Sequence, residues 1–253
     1  MKDSVLVIEK DGPVLTLRIN RPENENRLNL AVLRKLCSAL EEADTDESVR
    51  VLVLTGTGDI FCCGGDLEEL TTGDKEAYSD FAEHFARLHL KIARLSKPVL
   101  AAVNGDARAG GVSLLSICDL AVARESARFS MPEIKSGLWP VMAMVTLHRA
   151  LPRKRAFELY YFGEPFDAQE AKKLGLLNWV VPVDGLDKEV SQRAALLSSL
   201  PRSAVRIGRP TFAGIEERFY EQGFKYSAGR LIELLTDPEV VKGLAVRKEP
   251  KRR

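Results

Sequence analysis

The chain has only three histidines, His84, His89 and His148, and four cysteines, Cys37, Cys62, Cys63 and Cys118, in 253 residues. Two cysteines are adjacent and none shows CxxC spacing, so the pattern excludes a disulfide framework and a zinc site. The thiols read as small core residues of a reducing compartment, and no metal is expected. No charge sign dominates: Lys plus Arg is 37 and Asp plus Glu is 36, a formal net charge of +1. That balance argues against a dedicated nucleic-acid or membrane-surface binder. No stretch approaches the roughly 18 uninterrupted apolar residues of a spanning helix, and the opening Met1 to Gly12 alternates apolar and charged residues, unlike a signal peptide. A cytosolic (cytoplasmic) or organelle-matrix address is expected. There is no internal repeat and no low-complexity segment apart from the basic end Arg247 to Arg253, which reads as a solvated terminus.

What is present is an ordinary globular composition, 45% hydrophobic and 29% charged, long enough for a substantial core. Val5 to Ile8 and Val14 to Ile19, around Asp11-Gly12-Pro13, predict a β-hairpin. Leu30, Leu33, Leu36, Cys37 and Leu40 recur at helical spacing after an Asn29 cap. Val51 to Leu54, Pro98 to Val103 and Leu120 to Val122 are short apolar runs alternating with helical stretches, the pattern of a mainly parallel sheet buried on both faces. Ala127 to Ser130 reads as a further edge. After Pro132 helical patterns dominate, over about 142–151, 154–162, 168–174, 186–200 and 211–235, with one interruption at 178–183.

Two glycine-bearing turns follow buried strands. Phe61-Cys62-Cys63-Gly64-Gly65-Asp66-Leu67 precedes a polar, helix-like stretch. Ala107-Arg108-Ala109-Gly110-Gly111-Val112-Ser113 opens a short apolar helix whose first amides have no internal partner. The second turn lacks both GxGxxG and a P-loop Lys, so phosphate binding of the dinucleotide or P-loop kind is unsupported. If the turns converge, two backbone N–H donors meet at one point, which is how an oxyanion is stabilised.

Asn20-Arg21-Pro22, Val49 to Leu67, Lys97 to Ala123 and Phe129 to Pro140, in this order, resemble the crotonase, or enoyl-CoA hydratase/isomerase, superfamily. The resemblance implies an α/β, crotonase-like (ClpP/crotonase) ββα superhelix over residues 1–190. It also implies a C-terminal helical region over 191–253 that builds trimers, often paired into hexamers, and acyl-coenzyme A thioesters as substrates. Coenzyme A then belongs to the substrate and no separate cofactor is expected. By the family pattern, Gly65 and Gly110 donate their N–H groups to the thioester oxygen. Cys63 faces the adenine, and Glu23, Asn24 and Glu25 pass the pantetheine and pyrophosphate. Asp66, Leu67 and Trp139 complete the expected binding surface, with Asp66 and Asp119 read as turn-stabilising acceptors as well.

Family hydratases hold a water between two Glu side chains. The second falls on Glu133, after Pro132; the first falls on Ser113. A hydroxyl can hold a water but is too weak a base to deprotonate it alone, so the resemblance favours the one-base chemistry of Δ3,Δ2-enoyl-CoA isomerases, with Glu133 as the single acid/base. Hydration using Glu133 and a Ser113-held water, and a non-catalytic acyl-CoA binder, are the alternatives. A Ser-dependent hydrolase is a further one, because Clp-type proteases share the fold; it requires a His reaching Ser113 and an Asp behind it, and spacing identifies neither. Between Gly137 and His148 there is no carboxylate, which disfavours dehalogenation, dienoyl isomerisation and ring-forming condensation. Val141, Met142, Ala143 and Met144 stand where the family has glycines and predict a bulkier, apolar wall. The three histidines match no family catalytic position.

Overall fold

The alternation in Val14–Ile19 puts Leu15, Leu17 and Ile19 on one face, and all three are buried. This strand, β2, pairs antiparallel with β1 (Leu6–Asp11) in the expected hairpin. The structure, a computed structural model, describes residues 4–66, 74–238 and 241–242. Helix α1 (Leu30–Thr45) is capped by Asn29, whose side chain accepts from the Val32 amide at 2.9 Å. β3 (Val51–Gly56) is buried at every position, as a strand covered on both faces must be. Next come β4 (Ile60–Cys62), α2 (Lys75–Arg94), β5 (Val99–Val103), β6 (Asp106–Arg108), α3 (Gly110–Ser116), β7 (Leu120–Arg124) and β8 (Arg128–Ser130). The chain continues through α4 (Met144–Ala150), α5 (Arg153–Phe162), β9 (Phe166–Asp167), α6 (Ala168–Lys173), β10 (Trp179–Val181), α7 (Leu186–Ser199) and α8 (Arg202–Thr236).

The strands form two sheets. The larger runs β1-β2-β3-β5-β7-β10, parallel from β2 onward; the smaller runs β4-β6-β8-β9. The β1-β2 hairpin stays in the large sheet, and each of the next three strand pairs, β3-β4, β5-β6 and β7-β8, sends its first strand to the large sheet and its second to the small one. The main core fills the space enclosed with α1, α2 and α3 and includes Leu17, Leu33, Leu52, Phe61, Leu88 and Phe129. The second sheet is the chief departure from the sequence reading, which took Ile60–Cys62 and Asp106–Arg108 for parts of turns. Strands of two or three residues carry too little periodicity to be read, and exist because neighbours complete their ladders. β10 occupies the 178–183 interruption.

Helix α8 begins nine residues before the expected Thr211, with Pro210 inside it. Arg209 anchors it: the guanidinium donates to Asp119 at 2.8 Å and to the carbonyls of Ile92, Ala93 and Leu95 at the end of α2. Carbonyls at a helix C-terminus lack intrahelical donors, so this contact satisfies them while tying the last helix to the core. Asp119 also accepts from the Val99 amide at 2.7 Å, so it bonds the start of strand β5 and not the nearby turn amide expected of it. Among the described residues, no helix is long and apolar enough to cross a membrane.

Candidate active site

The first turn is built by cross-chain pairing. Leu28 donates to the Gly64 carbonyl at 2.8 Å and accepts from the Asp66 amide at 2.9 Å, forming a one-residue parallel bridge with Gly65. Because a parallel ladder uses the groups on either side of the bridged residue, the N–H of Gly65 itself faces away from Leu28. Beneath it, buried Asp66 pairs with the Arg21 guanidinium at 2.8 Å; the turn that follows it, whose amides it was expected to bond, lies outside the described residues. Buried Asn26 clamps the same loop, accepting from the Arg21 amide and donating to the Thr57 and Ile60 carbonyls.

The second turn comes against the first. Gly64 has φ +86°, and a Cβ there would lie 2.8 Å from the Ala109 Cβ and 3.1 Å from the Gly110 nitrogen. Ala109 is itself held at φ +51° and ψ −124°, a strained conformation for an L residue that aims the start of α3. Gly110 is the first residue of that helix, where the amide has no intrahelical acceptor. Gly65 and Gly110 line one cavity, with a volume of about 500 Å³.

Glu133 lines the same cavity. It sits in a short 3-10 turn, Pro132–Ser136, opened by proline and closed by Gly137 at φ +74°. Its Oε2 is sealed from solvent and has no hydrogen-bond partner. Burial pushes the carboxyl up to about 7, opposed only by its own backbone amide. A carboxyl that titrates near neutrality can accept and return protons in one cycle. Asp106 also lines the cavity, but it is committed elsewhere, bonding the Arg108 guanidinium at 2.7 Å and the Arg128 amide at 3.0 Å. The lining is mixed: it includes basic Arg27, Arg108, Arg128 and Lys135 and apolar Phe81, Phe85, Leu138, Trp139, Met142 and Leu231.

A family model described as enoyl-CoA hydratase/isomerase matches residues 9–249. The chain belongs to the enoyl-CoA hydratase/isomerase family. It is 36% identical over 205 residues to the mitochondrial enoyl-CoA hydratase domain-containing protein 3 of Mus musculus, covering 81% of this chain and 68% of that one. It is 37% identical over 182 residues to the 2,3-dehydroadipyl-CoA hydratase of Escherichia coli, covering 72% and 71%. Among solved structures, a putative enoyl-CoA hydratase from Mycobacterium avium paratuberculosis superposes with a TM-score of 0.88 at 28% identity, covering 96% of this chain and 95% of that one. The enoyl-CoA hydratase of Mycobacterium smegmatis gives 0.82 at 36% identity, also over 96% and 95%. The fold is the crotonase fold.

Of the other residues expected at the site of this family member, Cys63 and Trp139 line the cavity. Burial holds the Cys63 thiol at about 11, so it stays protonated and is no nucleophile. Glu23 and Asn24 lie in a 3-10 turn away from the lining, and Glu25 reaches it only through its ion pairs with Arg27 and Arg108. Leu67 lies outside the described residues.

Ser113 does not line the cavity. It is fully buried and belongs to a hydrogen-bonded chain that spacing alone does not reveal. His89 Nδ1 lies 2.8 Å from the Phe85 carbonyl, which can only accept, so Nδ1 carries the proton and Nε2 is an acceptor. Burial lowers this imidazole to about 4, keeping it neutral. Ser113 Oγ donates to Nε2 at 2.9 Å and accepts from Thr146 Oγ1 at 3.0 Å, which accepts in turn from Ser116 at 2.7 Å. A histidine that spacing could not identify thus does reach Ser113, but a backbone carbonyl stands behind it instead of an Asp. Phe85 takes the cavity side, its ring 4.2 Å from the imidazole centroid to centroid. Ser113→Ala is expected to lower stability in denaturant unfolding by about 1–3 kcal/mol, the cost of stranding a buried acceptor, while turnover changes less than about threefold. Loss of turnover at unchanged stability would place Ser113 in the chemistry instead.

Proposed function

We propose that this chain acts on acyl-CoA thioesters as a Δ3,Δ2-enoyl-CoA isomerase. The Gly65 and Gly110 amides receive the thioester oxygen, and the Glu133 carboxylate takes a proton from C2 of a 3-enoyl thioester. The C2 electron pair moves into the conjugated dienolate, whose negative charge rests on the oxygen beside the two amides. Glu133, now protonated, returns the proton at C4 and the double bond settles between C2 and C3. No water enters and no group leaves. The basic residues of the lining suit the phosphates of coenzyme A, and its apolar residues suit the acyl chain.

The observation that carries this reading is the standing of Glu133. Among the described residues it is the one cavity carboxyl without a cationic partner, while Ser113, at the place of the other hydratase acid, spends its hydroxyl on His89. The relatives named as hydratases favour hydration as the second reading.

The discriminating experiment is turnover of 2-enoyl, 3-enoyl and 3-hydroxyacyl thioesters in heavy water. Isomerisation predicts conversion of 3-enoyl to 2-enoyl thioester, with deuterium entering at C2 and C4 and no hydroxyacyl product. Formation of the 3-hydroxyacyl thioester as the main product establishes hydration instead. Tight binding with neither reaction nor exchange identifies a non-catalytic binder.

A further inference from the structure

Tyr160 lies on α5 and is 2% exposed, yet its hydroxyl has no hydrogen-bond partner. A buried phenol normally finds one. The Glu133 Oε2 atom is in the same condition, and the two elements that carry these atoms are packed together. Gly163, the left-handed cap that ends α5 three residues after Tyr160, meets the Glu133 turn closely. A Cβ there would stand 3.1 Å from the Met131 carbonyl and 3.2 Å from Pro132 Cα. Trp139, just past the turn and lining the cavity, holds the Tyr160 ring edge-on at 5.9 Å. Burial, and after it the charge of Glu133, raises the pKa of the phenol and keeps it protonated.

Several charged groups of the neighbouring elements are engaged with other partners. On its own turn Lys135 pairs with Glu164 at 2.8 Å, and on α5 Arg155 pairs with Glu158 at 2.6 Å and with Glu170. From the small sheet, Arg108 pairs with Asp106 and Glu25; Arg128 lines the cavity, as does Arg27, itself paired with Glu25. From α8 the cavity receives apolar Leu231. The shift of Glu133 has no contribution from any of these charges.

We propose that Tyr160 is a positioning residue for Glu133: its O–H donates to the ionised carboxylate, directly or through one water, and turns the other oxygen toward the reacting carbon. A donor to the charged form favours that form, so Tyr160 opposes the effect of burial on the acid whenever Glu133 works as a base. The proposal rests on the acid/base reading of Glu133 given above.

The test is the pH dependence of kcat/KM for 3-enoyl thioester in Tyr160→Phe, which removes one oxygen atom from a buried ring. The acidic limb is expected to move up by about half to one pH unit, with kcat about 3- to 10-fold lower and KM within about twofold. Site-specific 3-fluorotyrosine at position 160, a more acidic phenol of nearly the same shape, is expected to move the limb the opposite way and serves if the Phe variant does not fold. A limb and kcat unmoved in a folded variant overturn the proposal. Full turnover by Glu133→Gln, in contrast, overturns the acid/base reading itself.

Discussion

Glu133→Gln is expected to reduce kcat/KM for 3-enoyl thioester by about 10²–10⁴-fold, the range typical of losing a positioned acid or base. The amide keeps the size of the carboxyl and its place beside Gly65 and Gly110, but cannot take the C2 proton. Binding of the thioester should change little, so the loss falls on kcat. The sign of the pH profile follows from the direction of proton transfer. To remove a proton from C2, Glu133 must enter as carboxylate, so activity rises with pH through a midpoint near the value of about 7 that burial imposes. Hydration of a 2-enoyl thioester instead delivers a proton to C2, and the same group must enter protonated, so activity falls through that midpoint. A falling limb on the 2-enoyl substrate, lost in Glu133→Gln, would therefore sink the isomerase reading.

The same group ties stability to pH. A carboxyl raised from 4.5 to about 7 on folding binds its proton more tightly in the native state. The native state is thus favoured below about pH 4.5 and loses that advantage as pH rises toward 7. The full difference is on the order of 3 kcal/mol. Glu133→Gln removes this dependence, which pH-resolved thermal unfolding of the two proteins will show as a flatter curve for the variant between pH 4.5 and 7.

Gly64→Ala should be the most damaging substitution that touches no acid or base. Its methyl would meet the Ala109 Cβ at 2.8 Å and the Gly110 nitrogen at 3.1 Å, with φ fixed at +86°. The backbone strain alone costs about 1–3 kcal/mol. Relief requires the two turns to separate, and separation moves the Gly110 amide relative to Gly65. Oxyanion donors act only within a few tenths of an ångström of their design distance, and loss of one costs about 10²–10³-fold in kcat. Gly12→Ala is the control. That residue also has positive φ, +53°, but nothing lies within 4 Å of its added Cβ. It should share the backbone penalty and leave kcat untouched. Equal kinetic losses in both variants, measured on folded protein, would separate the turn contact from the chemistry.

Much of the fold was legible because long elements carry their own period. Asn29 and the spacing Leu33, Leu36, Cys37 and Leu40 specify α1 locally, and Val51 to Leu54 can only be a doubly covered strand. The small sheet was not legible, since Ile60–Cys62, Asp106–Arg108 and Phe166–Asp167 draw their strand character from each other. At the site, Gly65, Gly110 and Glu133 were reachable through resemblance in motif and spacing. The Ser113–His89 bond and the unpartnered Tyr160 hydroxyl had no such signal, because each depends on which face of a helix meets which neighbour.

The sequence by itself determined the family, the alternation of strands and helices, and a serine at position 113 where the resemblance leads one to expect a carboxylate, all of which are properties of residue type and order. Only the tertiary structure decided what that serine means. Packing α2 against α3 places His89 within 2.9 Å of the Ser113 hydroxyl, and the closed cavity wall removes water from Glu133. Desolvation and hydrogen-bond partnership act through space over a few ångströms, between groups that the chain itself keeps tens of residues apart.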